Sequence, residues 1–276
     1  VVVCSVSVAA CVFFEWAITR YMLRRPTMLL DGSACITGLL LGMNLPSNFP
    51  IWMIIVGALV AIGIGKMTFG GLGCNPFNPA IVGRCFLLVS FPAAMTSWPV
   101  AGQQMAYTDA VTGATPLSLM KTAIKTGDVS VLQGLPDTVD MLLGNVANGY
   151  GAGTIGEVCA LALIVGLVWM LWRRVITWHI PVTILATVFV LSGALHVANP
   201  VYAHPMAVVL SGGLMLGAIF MATDYVTSPM THRGQVIYAV GIGVLTVVIR
   251  NWGSYPEGMS FAILIMNAFT PLINFY

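Results

Sequence analysis

Hydrophobic positions along this chain come in long runs broken by proline, glycine clusters and isolated charges, with none of the short alternation of a half-buried sheet. Split at those breaks, the pattern predicts about nine apolar helical segments, near 1–19, 33–48, 51–68, 78–97, 155–172, 175–193, 205–222, 235–250 and 258–276. A helix of 18 residues rises about 27 Å, close to one bilayer core. The 33–48 segment is shorter and begins polar, so it is expected to be a broken helix. Between 98 and 154 the pattern is different: one long, mostly polar insertion, too long for a mere connection.

Composition turns this pattern into a class. Of 276 residues, 58% are hydrophobic and 7% charged, against about 25% charged in soluble domains. Such a chain cannot cover a water-facing surface. The expected fold is all-α, a polytopic membrane protein with about nine or ten transmembrane helices and one long external loop. A net charge of +2 offers nothing for nucleic acid. The six cysteines show no C-x-x-C spacing, so they read as small apolar residues rather than as zinc or complete iron–sulfur ligands. The opening VVVCSVSVAACVFF has no basic leader region or cleavage site and reads as the interior of a longer protein rather than as a signal peptide.

Basic clusters orient the segments. Arg20, Arg24 and Arg25, then Arg173 and Arg174, then His232 and Arg233 fall on one face by counting spans, and the positive-inside rule makes that face cytoplasmic. The insertion 98–154, with Asp109, Asp128, Asp137 and Asp140 against Lys121 and Lys125, is then external. The expected organisation is a first membrane repeat over 1–97, the loop over 98–154 and a second membrane repeat over 155–276. TGLLLGMNLP pairs with SGGLMLGAIFMATD, and IWMIIVGALVAIGIGK pairs with GQVIYAVGIGVLTVVIR, which sets Lys66 opposite Arg250. The copies run in opposite senses, as in inverted-repeat transport proteins. Chance similarity of Gly-rich apolar sequence is the alternative.

Four short stretches can carry chemistry. In GGLGCNPFNPA, Asn75 and Asn78 each precede a proline, with Asn78 as N-cap and Pro79 in the first helical turn. Free N–H groups and two amides suit the polar edge of a flavin or quinone; equally, they suit a re-entrant turn whose asparagines satisfy its own backbone. In TGATPLS, Pro116 drives Thr115 to an extended conformation that exposes its hydroxyl. The following turn is a phosphate site or a plain polar turn. In ATDYVTSP, Asp224, Thr227 and Ser228 form either a cap or a contact for a cofactor or cation. DGSACITG places Asp31 or Ser33 as a cap. Glu15 lies inside the first apolar run and must face protein or water, and Glu157 complements a helix dipole. Arg84 is expected to pair with a carboxylate or backbone carbonyls, or to steady a reduced flavin.

DGSACITGLLLGMNLP, GGLGCNPFNPAIVGRCFLLVSFP, TGATPLS and ATDYVTSP stand in an order and at distances that resemble one family over essentially the whole chain. That family holds the D subunits of the Rnf ferredoxin:NAD oxidoreductase complex and the B subunits of the sodium-pumping NADH:quinone oxidoreductase. The resemblance implies FMN held covalently, as a phosphoester on the second Thr of a Ser/Thr-Gly-Ala-Thr motif. Here that motif is Thr112, Gly113, Ala114 and Thr115, the last being the acceptor. It also implies a non-covalent riboflavin near Asn75 and Asn78, the A, B, C, E and G subunits of Rnf as partners, and a place in a bacterial or archaeal cytoplasmic membrane. Electrons would pass from an external flavin through FMN on Thr115 and back inward, coupled to Na⁺ or H⁺ movement, with Asp31, Asp224 and Glu15 as candidate ion groups. No catalytic residue and no metal are expected. The form of TGATP and GCNPFNP favours the Rnf branch over the quinone-reducing one. A urea-like channel or solute transporter, or a non-redox scaffold, is the reading from another class.

Overall fold

In the computed structural model, residues 1–24, 31–99, 113–144, 153–255 and 257–275 are described. Every element among them is helical. The chain divides into two compact units, Val1–Ser97 and Trp98–Tyr276. Among the described residues four helices are long and apolar enough to cross a membrane: α1 (Val2–Met22), α3 (Ile51–Phe69), α9 (His179–Ala198) and α12 (His232–Trp252). Shorter apolar helices accompany them: α2 (Ser33–Met43), α4 (Pro79–Ser90), α8 (Ala160–Trp172) and α13 (Met259–Phe275).

In the first unit α1 turns a stripe of mostly small or polar residues inward, as close helix packing in lipid favours. The buried stripe of α1 is Val3, Ser7, Cys11 and Glu15, one residue per helical turn. It meets Gly38 and Gly42 of α2. A β-carbon on Gly38 would lie 2.6 Å from the Val8 backbone, and one on Gly42 would lie 2.9 Å from that of Cys4. The two glycines therefore let the backbones touch, and Ser7 Oγ donates to the Gly38 carbonyl at 2.7 Å. Gly38→Val should push α1 off α2 and cost about 1–3 kcal/mol, read as a lower thermal midpoint of the solubilised protein. Gly83 does the same work where α4 crosses α3, 2.9 Å from the Gly57 carbonyl. Phe91 and Pro92 interrupt the predicted 78–97 segment: α4 stops at Ser90 and α5 (Pro92–Met95) follows, because Pro92 lacks the N–H that would continue the ladder.

In the second unit the polar insertion is more than a loop. After Thr115 it forms α6 (Pro116–Thr126), a 3₁₀ turn (Val129–Gly134) and α7 (Thr138–Leu143). Leu117 and Met120 of α6 and Met141 of α7 bury against Ala160, Ala203, Ala207 and Leu210. α12 packs along α9, with Thr187 against Gly243. It also packs along α13, where the Tyr238 hydroxyl donates to Asn267 Oδ1 at 2.6 Å.

A second break falls where the pattern indicates none. The 205–222 stretch reads as continuous but splits into α10 (Pro205–Leu210) and α11 (214–221). Ser211 is extended and Gly212 sits at φ +68°. Residues 33–48 carry one short helix that ends at Met43. A Ser-Gly-Gly break inside apolar sequence frees backbone groups, which must be satisfied internally. Arg250 answers with Nη1 on the Val208 carbonyl at 2.8 Å and Nη2 on the Ser211 carbonyl at 2.9 Å. Glu257 Oε1 accepts from Gly213 N at 3.1 Å.

Candidate functional site

Thr115 is the N-cap of α6. Its φ of −75° and ψ of 154° are the extended geometry that Pro116 enforces, and its Oγ1 accepts from Ser118 N at 3.2 Å. Ser118 Oγ returns a bond to the Thr115 carbonyl at 2.7 Å. The expected exposure of the hydroxyl is corrected: Thr115 is buried, 7% exposed, because the cap turns the side chain onto the first turn of its own helix. Gly113 N donates to the Trp98 carbonyl at 3.0 Å, which ties the approach to the cap, and Ala114 adds only a methyl group there. Thr112, the first residue of the motif, lies outside the described residues, as does Asp109. Lys121, two turns along α6, is also buried and donates to the carbonyls of Gly253 at 2.6 Å and Tyr255 at 2.7 Å. Burial, with Lys125 nearby, holds its ammonium below the usual lysine range.

In the first unit Asn78 caps α4. Its Oδ1 accepts from Ala80 N at 3.0 Å and Ile81 N at 3.4 Å, and Pro79 fills the first helical position. Asn75 Nδ2 donates to the Phe77 carbonyl at 3.0 Å. Both asparagines are buried, while Gly70, Gly71 and Gly73 before them take positive φ values of 116°, 100° and 86°, which an L side chain would resist. The two amides thus order the turn into α4. Arg84 Nη1 donates to Oδ1 of Asn44 at the end of α2. Asn44 went unremarked in the sequence because nothing local marks a partner 40 residues away.

The Asp224 turn is also self-contained. Asp224 Oδ2 accepts from Thr227 Oγ1 at 3.3 Å, Ser228 N donates to the Asp224 carbonyl at 3.0 Å, and Thr270 Oγ1 of α13 reaches the Thr227 carbonyl at 2.9 Å. These are the bonds of a turn that links the end of α11 to the start of α12. Burial raises the Asp224 pKa above the ordinary carboxylate range, against the opposing bonds from Val226 N and Thr227. A carboxyl raised in the fold contributes most below its unfolded pKa, and that contribution is lost as pH climbs through the folded value. Asp224→Asn keeps the acceptor and removes the buried charge. It should raise the melting temperature at neutral pH, with the gain shrinking as pH falls toward about 4, as measured by thermal melts across that range.

One group stands out that the motifs did not single out as a unit. Lys66 Nζ lies 2.6 Å from Glu15 Oε2 and 2.6 Å from Ser33 Oγ, inside the first unit. Glu15 faces protein, as a carboxylate in an apolar run must. Asp31 is linked to this group through Ser33, accepting from its backbone N at 2.9 Å and its Oγ at 2.7 Å just ahead of α2. The signal available in the sequence was the paired placement of Lys66 and Arg250. In the structure each is a buried cation near the end of a long helix, tied to a neighbouring short or broken one.

The model of the NQR2, RnfD, RnfE family matches residues 1–276. The chain is 46% identical over 258 residues to the D subunit of the Na⁺-translocating ferredoxin:NAD⁺ oxidoreductase complex of Acetobacterium woodii, covering 94% of this chain and 75% of that one. It is 41% identical over 268 residues to the D subunit of the proton-translocating ferredoxin:NAD⁺ oxidoreductase complex of Clostridium ljungdahlii, covering 93% and 77%. A third relative, the D subunit of the ion-translocating oxidoreductase complex of Stutzerimonas stutzeri, is 40% identical, covering 92% and 77%. With four helices able to cross a membrane and a family match over its whole length, the chain is a multi-pass membrane protein that belongs to the NQR2, RnfD, RnfE family.

Proposed function

We propose that this chain works as the D subunit of an ion-translocating ferredoxin:NAD⁺ oxidoreductase complex, and that it carries FMN as a phosphoester on Thr115. The first part follows the names of the three relatives, all of them D subunits of ion-translocating oxidoreductase complexes, and it favours the ferredoxin-linked branch over the quinone-reducing one. The coupling ion is Na⁺ or H⁺, since the names of the relatives include both. The second part rests on one observation: Thr115 is the cap of an 11-residue helix with Pro at its first position.

That geometry fits a phosphoester. The oxygen that accepts from Ser118 N remains an acceptor when esterified, and the phosphate would lie at a helix N-terminus, where N–H groups and the helix dipole favour an anion. Gly113 and Ala114 present little bulk beside it. A flavin held there would supply one- and two-electron transfer. The chain's own work is to fix the tether, exclude water and hold the redox group in place; no general base or nucleophile is called for. The loop that bears Thr115 is proposed to face the external side.

For riboflavin the fit is poorer. Asn75, Asn78 and Arg84 bond to groups of their own chain, as do Asp224 and Thr227, which engages polar groups a second flavin would need. The channel and scaffold readings differ from this one at Thr115. Mass spectrometry of the peptide containing Thr115, from native complex, should find a mass added equal to FMN less water. A bare peptide from active material overturns the proposal.

A further inference from the structure

A half-open cleft lies in the second unit, between α6, α9 and α12. Its walls are apolar, with Leu117 and Ile124 on one side and Leu195 and Val247 on the other, and it contains both Lys121 and Arg250. Both cations are buried. Their bonds run to neutral carbonyls, those of Gly253 and Tyr255 for Lys121 and those of Val208 and Ser211 for Arg250. Among the described residues Arg250 Nε is buried with no hydrogen-bond partner. Glu157 and Glu257 lie within electrostatic reach of Arg250, and Lys125 adds its charge at Lys121. A buried guanidinium N–H without an acceptor is costly to maintain, and an anion in the cleft would answer it.

The position of the cleft identifies the kind of anion. Ser192 and Leu195 belong to the last two turns of α9, and Val247, Arg250 and Asn251 to the last two turns of α12. Helices of 20 and 21 residues rise about 30 Å, so their ends mark the edge of the hydrocarbon layer. That is the depth of lipid phosphates. A free inorganic anion would want polar walls; this site has cations at one place and an apolar wall beside them.

We propose that this cleft binds an anionic phospholipid, its phosphate against Lys121 and Arg250 and its acyl chain along the apolar wall. The proposal does not rest on a flavin at Thr115. Binding would hold the α6 segment to the ends of α9 and α12 and would make the strength of that attachment depend on lipid charge.

The test is native mass spectrometry of the whole solubilised complex after exchange into phosphatidylglycerol or phosphatidylcholine. The wild type should retain one phosphatidylglycerol attributable to this chain and release phosphatidylcholine. Lys121→Gln should weaken that retention about tenfold or more. Ile124→Trp fills the cleft with both cations in place and should also expel the lipid; it carries the test if Lys121→Gln fails to assemble. Equal retention of the two lipids, or retention unaffected in an assembled Ile124→Trp complex, overturns the proposal. Displacement of phosphatidylglycerol by inorganic phosphate overturns it too, by assigning the site to a small anion.

Discussion

Thr115→Asn should abolish flavin fluorescence on the denatured polypeptide and bring ferredoxin:NAD⁺ electron transfer by the complex to background, while leaving the fold intact. Asparagine is as good an N-cap as threonine, so the bond from Ser118 N is kept. It has no hydroxyl to esterify. Thr115→Ala removes both functions, and the lost cap alone costs about 0.5–2 kcal/mol; a loss of activity in that variant confounds stability with chemistry. Thr115→Ser restores a hydroxyl and a cap and should recover both flavin and activity. A rate loss of 100-fold or more, about 2.7 kcal/mol in barrier, in a Thr115→Asn complex with an unchanged melting temperature would place the defect in electron transfer. Full activity in that variant would show that the redox path does not use this side chain.

Removing one member of the Glu15–Lys66 pair should be the most damaging single change to stability. Each group sits in a helix long and apolar enough to cross the membrane, α1 and α3, and both are buried, at 5% and 2% exposure. Among the described residues, Glu15→Ala leaves the Lys66 ammonium with Ser33 Oγ as its hydrogen-bond partner, and orphaning a buried charge costs about 3–5 kcal/mol. The pair itself need not be stabilising relative to apolar side chains, since desolvation of two ions offsets much of their attraction. The double replacement Glu15→Leu with Lys66→Met should therefore recover most of the loss. Thermal unfolding of the solubilised protein, or its level in membranes, measures both. If Glu15→Ala and the double variant fall equally, the pair is held by something other than charge.

The helical class and most apolar segments were legible because a bilayer constrains composition and length directly. The cap at Asn78 and the extended backbone at Thr115 were legible as positions, since a cap acts within three residues and a following proline restricts the residue before it. Their detailed use was not. The expectation that Thr115 exposes its hydroxyl followed from Pro116 alone and ignored the demand of the new helix for an acceptor. The Asp224 turn could be read as a cap or as a cofactor contact, and its bonds to Val226, Thr227 and Ser228 form a local turn that only the coordinates reveal. Likewise the 98–154 insertion looked like loop because its polar face dominates; the apolar face of α6 shows its purpose only once α8 and α10 are beside it.

By itself, then, the amino-acid order determined that this chain lives in a membrane, where its main apolar segments lie, and which residues open α4 and α6. All of these are settled within a few residues of chain or by bulk transfer from water. Tertiary structure decided where the helices break and which charges meet. Glu15 and Lys66 are 51 residues apart, and Arg250 reaches a carbonyl 42 residues away. In a medium that cannot solvate an ion or a loose backbone group, such partners are chosen by proximity in space, and no period along the chain records that choice.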